Sequence, residues 1–170
     1  NFNRVARRLA HHFQVFTPDL RNHGASDHRE SMSYREMALD VVNFLDEHEL
    51  EKVILLGHSM GGKVAMTFAH DYPDRISDLI VVDVAPIHYD LGHVDLQSIL
   101  AEGDISGFKT RHQADQYFSE KIPEDYVRRF LLKNLIVDRK KGNYWRTNME
   151  AISRDIGTIL MPPPVVPGWA

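Results

Sequence analysis

The chain has 170 residues, 43% of them apolar and 26% charged, with 10 Gly and 8 Pro, which fits one ordinary globular core and excludes a collagenous, low-complexity or wholly disordered protein. Twenty Lys and Arg against 24 Asp and Glu give a formal net charge of -4, so nucleic-acid binding by bulk phosphate neutralisation is not expected. The absence of cysteine excludes a disulfide scaffold, Cys-ligated metals and a thiol nucleophile, leaving oxygen and nitrogen groups to carry any chemistry.

Phe2, Val5, Ala6 and Leu9 recur at helical spacing and predict a short amphipathic helix ending near His11 and His12. Phe13 to Pro18, rich in β-branched and aromatic residues, reads as a strand, followed by a loop in which Gly24 supplies turn geometry. In that loop Asp19 and Arg21 are expected to form a bracing ion pair. Ser33 followed by Glu36 is a capping-box pattern, and Met37, Val41, Val42 and Leu45 place an apolar stripe on a helix running to about Glu49. Val53 to Leu56 is a short apolar strand that turns at Gly57, and Gly61 to Ala69 resumes with helical spacing until Tyr72-Pro73. Leu79 to Val84 is the third apolar run, closed by Pro86. Continuous apolar strands separated by helices indicate a parallel sheet buried on both faces.

Residues 1–86 are therefore read as a partial α/β core. Residues 87–157 are read as a helical cap, with apolar helical spacing at Leu96, Ile99 and Leu100, at Ala114 to Phe118, and from Tyr126 to Leu131, and with no convincing strand. Pro123 sits at the expected first turn of the last of these helices. Residues 158–170 are read as a proline-rich tail or the approach to a further core strand. The basic run Lys133 to Lys141 is interrupted by Asp138 and lacks interleaved aromatics, so it reads as a solvated loop rather than a nucleic-acid surface. No run approaches the eighteen apolar residues of a membrane span.

The strongest chemical signal is Gly57-His58-Ser59-Met60-Gly61-Gly62, a Gly-x-Ser-x-Gly sequence between a predicted strand and a predicted helix. The flanking glycines permit a tight turn that lifts the Ser59 hydroxyl out of the sheet, where a bulky side chain at either position would crowd the backbone. Ser59 is the candidate nucleophile, and the amide of Met60 is the natural oxyanion donor because it follows the nucleophile at the helix start. Neither the dinucleotide fingerprint nor the Walker A spacing fits these glycines.

A serine hydroxyl needs a base, usually an imidazole held by a carboxylate. Asp83 is the candidate acid because it lies near the C-terminal end of the third strand, on the same sheet edge as Ser59. Its apolar neighbours imply a fixed partner for the charge. His58 is read as a packing or turn residue pointing away from the Ser59 hydroxyl, and with Phe118 and Trp145 it is a candidate substrate contact. His23 reads as a loop organiser, while His88, His93 and His112 follow Asp83 with no context that singles one out. The base is unassigned. Ile99, Phe108, Tyr117, Phe118, Phe130 and Trp145 are candidates for an acyl pocket in the cap.

Asn1 to Leu9, Thr17 to Ser26, Gly57 to Lys63 and Val82 to Pro86 together resemble the α/β-hydrolases, in particular small bacterial esterases and their mitochondrial α/β-hydrolase-domain relatives, with a weaker match through Tyr144-Trp145-Arg146. The resemblance implies an α/β-hydrolase parallel sheet, partial in this chain, with a helical cap. It matches Ser59 to the nucleophile, Met60 to an oxyanion donor and Asp83 to the triad acid. It implies a carboxylic-ester hydrolase acting on a small-molecule acyl ester or thioester, with no metal or organic cofactor and an intracellular location, cytoplasmic or mitochondrial. The family's other oxyanion donor lies upstream of the segment matching Asn1, and its base lies beyond the segment matching the proline tail. A chain truncated at both ends is thus expected. The alternative is a non-catalytic hydrolase-fold fragment or interaction protein, pairing with a protein partner or with itself through an open sheet edge.

Overall fold

The computed structural model describes residues 2–89, 99, 103–123 and 125–164, apart from the side chains of Tyr126 and Phe130. Helix α1 (Asn3–Leu9) is followed by an irregular stretch and helix α2 (Tyr34–Glu47). Strand β1 (Val53–His58), helix α3 (Met60–Asp71), a 3-10 turn at Pro73–Arg75 and strand β2 (Ile76–Val82) come next. The remainder carries α4 (Arg111–Ser119), α5 (Asp125–Leu132), two-residue strands β3 (Leu135–Ile136) and β4 (Tyr144–Trp145), and α6 (Met149–Leu160).

Strands β1 and β2 pair in parallel, with His58 opposite Val82 at their C-terminal ends. A parallel pair requires a crossover, and α3 provides it, so both strands end at the same edge of the sheet. Ala38, Val42 and Leu45 of α2 meet Phe68 and Ala69 of α3 and Ile76 of β2 in a buried cluster against Val53, Leu55 and Leu79. The opposite face carries Ile54, Ile80 and Val82, which are 46%, 43% and 39% exposed. Burial on both faces, expected from the continuous apolar runs, therefore does not hold among the described residues. The helices α2 and α3 pack on one side, and the alternation of a strand sends every second side chain to the other.

Phe13 to Pro18 is not a strand. A strand is defined by hydrogen bonds to a neighbour, and none runs beside this segment among the described residues. Phe16 instead packs edge-on against Phe44 and His48 of the α2 end, at 5.7 and 5.4 Å between ring centroids. Arg21 pairs with Asp40 at 2.6 Å and Glu36 at 3.2 Å rather than with Asp19. The Asp19 carboxylate accepts from the Ala25 amide at 2.9 Å and closes the loop on itself.

The α2 start bears the expected capping box: Ser33 Oγ accepts from the Glu36 amide, and Glu36 Oε2 accepts from the Ser33 amide at 2.9 Å. Burial pushes the Glu36 carboxyl up, but hydrogen bonds from the Ser31 and Ser33 hydroxyls and the Ser33 amide, with the Arg21 charge, outweigh it and hold it at about 2 against an ordinary 4.5. A carboxyl lowered on folding stabilises above its unfolded value and loses that contribution as pH falls from 4.5 toward 2. Because the side chain is 37% exposed, solvent screening reduces the effect to about 1 kcal/mol. Urea unfolding is expected to show Glu36→Gln less stable by that amount near neutral pH, with the gap closing as pH falls through this window.

A second buried cluster gathers Ile99, Ala114, Phe118, Ile122, Leu131, Leu132 and Leu135, with Trp145 against it. Arg128 ties α4 to α5, donating to Asp115 at 2.7 Å and to the Ile122 carbonyl at 2.8 Å. The ladder of β3 on β4 lies where no strand was expected, because two-residue strands carry too short a pattern to read. Phe118 is fully buried, so Phe118→Ala is expected to lower stability by about 3–5 kcal/mol in denaturant unfolding.

Helix α6 crosses the 157/158 position at which the sequence reading starts its tail. Asn148 caps it by accepting from the Ala151 amide at 3.2 Å, and Pro162 to Pro164 follow its end. Ile152 and Ile159 of α6 pack on a third cluster of Met32, Tyr34, Met37 and Val64, beside Met60. The helical spacing at Leu96 and Leu100, and residues 165–170, lie outside the described residues. No helix among the described residues is long and apolar enough to cross a membrane.

Candidate active site

Ser59 sits between β1 and α3 at φ 53° and ψ -124°, a conformation that costs a non-glycine residue about 1–3 kcal/mol and persists only where its surroundings impose it. Backbone hydrogen bonds and close glycine approaches surround it. The Ser59 amide donates to Val82 O at 3.0 Å, and the Ser59 carbonyl accepts from Gly62 at 2.8 Å and Lys63 at 3.2 Å. A Cβ on Gly57 would lie 2.2 Å from the Gly61 carbonyl oxygen, and one on Gly62 would lie 2.5 Å from Val84 Cγ1. Gly61, by contrast, has open space, so the tight pair is Gly57 and Gly62 rather than the two glycines flanking the serine symmetrically.

The Ser59 side chain is exposed at the sheet edge. Met60 is the first residue of α3, where helix amides lack intrahelical acceptors and where the helix dipole favours negative charge. Asp83 follows β2 as Ser59 follows β1, and it too has a positive φ, 55°. The register that sets His58 opposite Val82 thus brings the two strained residues to neighbouring positions on one edge.

The Asp83 side chain is 83% exposed, so its apolar sequence neighbours do not bury it. They alternate into the sheet while Asp83 lies past its end. Its partner is His58, whose Nε2 lies 3.4 Å from Asp83 Oδ2. His58 also meets the Phe2 ring edge-on at 6.0 Å. No hydrogen bond joins an imidazole to the Ser59 hydroxyl among the described residues. His23 Nδ1 lies 3.0 Å from the Arg21 carbonyl, inside its own loop. His88 and His112 are exposed, and His93 lies outside the described residues.

Phe118 is fully buried within the second cluster. Trp145, 6.2 Å from it between ring centroids, lines an open cleft of about 520 Å³ with Asp19, Gly24, Ala25, His28, Tyr144 and Arg146. That lining includes none of Ser59, Met60 and Asp83. Two groups that hold segments together escaped the sequence reading. Lys63 is buried on α3, and Asn148 donates to Asn22 Oδ1 at 3.1 Å, joining α6 to the 19–28 loop. Asn148 ahead of Ile152 and Ile159 was a legible helix start, whereas nothing local marks Lys63 as buried.

Among solved structures, a marine microorganism esterase matches with a TM-score of 0.83 and 36% identity, covering 97% of this chain and 66% of that one. The chain is also 36% identical over 172 residues to the sn-1-specific diacylglycerol lipase ABHD11 of Xenopus laevis, covering 94% of this chain and 54% of that protein. It is 33% identical over 153 residues to esterase YbfF of Escherichia coli strain K12, covering 89% and 58%. The chain spans a little over half the length of these curated relatives. Residues 1–155 match the family described as alpha/beta hydrolase fold, and with parallel strands, a crossover helix and a positive-φ serine between them, this chain belongs to that family.

Proposed function

We propose that the chain carries the nucleophile side of a serine hydrolase that cleaves carboxylic acyl esters through an acyl-enzyme on Ser59. The observation that carries the reading is the strained Ser59 at the start of α3, one strand away from Asp83. Relatives named esterase and diacylglycerol lipase support an acyl ester as the substrate class. Residues 1–86 form the core on this reading and residues 87–157 the cap.

Ser59 Oγ attacks the acyl carbonyl as an imidazole takes its proton, and the Met60 amide stabilises the oxyanion. Collapse expels the alcohol, which receives that proton, and water then attacks the acyl-enzyme to release the acid and free Ser59. Asp83 holds the imidazole in its productive tautomer. The test is capture of a fluorophosphonate by the folded chain, located on Ser59 by peptide mass. His23→Gln, His88→Gln, His93→Gln and His112→Gln in the same assay identify an internal base by loss of labelling.

The exposed Ile54, Ile80 and Val82 favour a second reading, an interaction fragment that covers this sheet face with a protein partner or another copy. A folded chain that takes no label and associates in light scattering establishes that reading instead.

A further inference from the structure

Lys63 is 2% exposed, and a buried ammonium without compensation is costly enough that an apolar side chain would serve a purely structural position better. No carboxylate pairs with it among the described residues. Its Nζ instead donates to the Leu160 and Met161 carbonyls at 3.1 and 2.7 Å. These belong to the C-terminal end of α6, where helix carbonyls lack partners and the dipole is negative. The face of Tyr89 lies 4.7 Å from the ammonium and that of Tyr34 lies 5.8 Å away. Tyr34 also donates to the Ile159 carbonyl, and the Tyr89 amide donates to Leu160 O at 3.0 Å. Burial pushes the Lys63 ammonium down and the Tyr34 hydroxyl up, so the tyrosine stays neutral beside it.

The same residue reaches the other way. The Lys63 backbone amide donates to the Ser59 carbonyl at 3.2 Å, closing the first turn of α3. Met60 packs on the cluster that also receives Ile152 and Ile159 of α6. At its other end α6 is tied to the 19–28 loop, the Asn148 amide donating to Asn22 O at 2.9 Å.

We propose that Lys63 is a positioning residue that grips the C-terminal carbonyls of α6 and so fixes the turn carrying Ser59 relative to that helix. The importance of that turn rests on the reading of Ser59 as nucleophile, whereas the grip on α6 does not. A displacement of α6, which follows Trp145 closely in the chain, is thereby transmitted to Ser59.

Hydrogen exchange read by mass spectrometry tests this in the 170-residue chain. Lys63→Met is expected to speed exchange about tenfold or more in the last turn of α6 and in the first turn of α3, leaving α4 and α5 unchanged. It is also expected to slow fluorophosphonate capture at Ser59. Lys63→Arg, which keeps charge and donors, restores part of each effect. In the unsubstituted protein a slowly exchanging lysine ammonium resonance is expected by nitrogen-proton correlation, absent from Lys63→Arg. Unchanged exchange in Lys63→Met, a rise shared equally by α4 and α5, or no protected ammonium resonance each overturns the proposal. Failure of unsubstituted Ser59 to label overturns only the nucleophile reading, and exchange in the two segments still decides Lys63.

Discussion

Ser59→Ala is expected to abolish fluorophosphonate capture and to cut acyl-ester turnover by about 10⁶-fold, because no other group in the turn can form the acyl-enzyme. The fold should survive. Ser59 is exposed, and its hydrogen bonds to Val82, Gly62 and Lys63 are all made by backbone atoms that alanine retains. The φ of 53° is strained for serine and alanine alike, so the backbone cost changes little. Unfolding midpoints of the two proteins should therefore agree while their reactivities separate completely. Labelling that persists in Ser59→Ala places the nucleophile elsewhere and removes the basis of the acyl-enzyme mechanism.

Asp83→Asn is the second large effect, about 10⁴-fold in the rate of Ser59 capture with little change in stability. On the proposed triad, an amide at this position would present an N-H where the imidazole needs an acceptor, disfavouring the productive tautomer and withdrawing the charge that balances imidazolium. Because the carboxylate is 83% exposed, its loss leaves no buried group unpaired. Its 3.4 Å approach to His58 is a contact between exposed groups and contributes little to folding. Asp78→Asn, on an exposed position of the same strand, is the control and should label at the unsubstituted rate. Equal rates in the Asp83 and Asp78 variants would remove Asp83 from the mechanism.

The elements that sequence reading found are those whose cause is local. The α2 start needs only Ser33 and Glu36 three residues apart, and the turn after β1 needs small residues within a few positions of Ser59. Even there, space decided which glycines are required: Gly57 and Gly62 face backbone and the β2 exit, while Gly61 faces nothing. Two of the differences have one physical origin, the distant partner. Phe13 to Pro18 has strand composition but no neighbour to bond, and Arg21 meets Asp40 across 19 residues of sequence instead of Asp19 two residues away. Helix α6 runs on to Leu160, and the prolines that end it begin only at Pro162.

By itself, then, the sequence determined the parallel strand-helix-strand order, the capped α2, the sharp turn at Ser59 and the placement of Asp83 after the next strand. These follow from residue spacing, backbone freedom and hydrophobic period, all properties of short segments. Only the tertiary structure decided that Phe118 lies in a core and Trp145 on a cleft, that one sheet face is covered and the other exposed, and that Lys63 holds the end of α6. Each of these depends on which distant segments meet. Burial and electrostatic partnership are set by that meeting, and no pattern within a few residues encodes it.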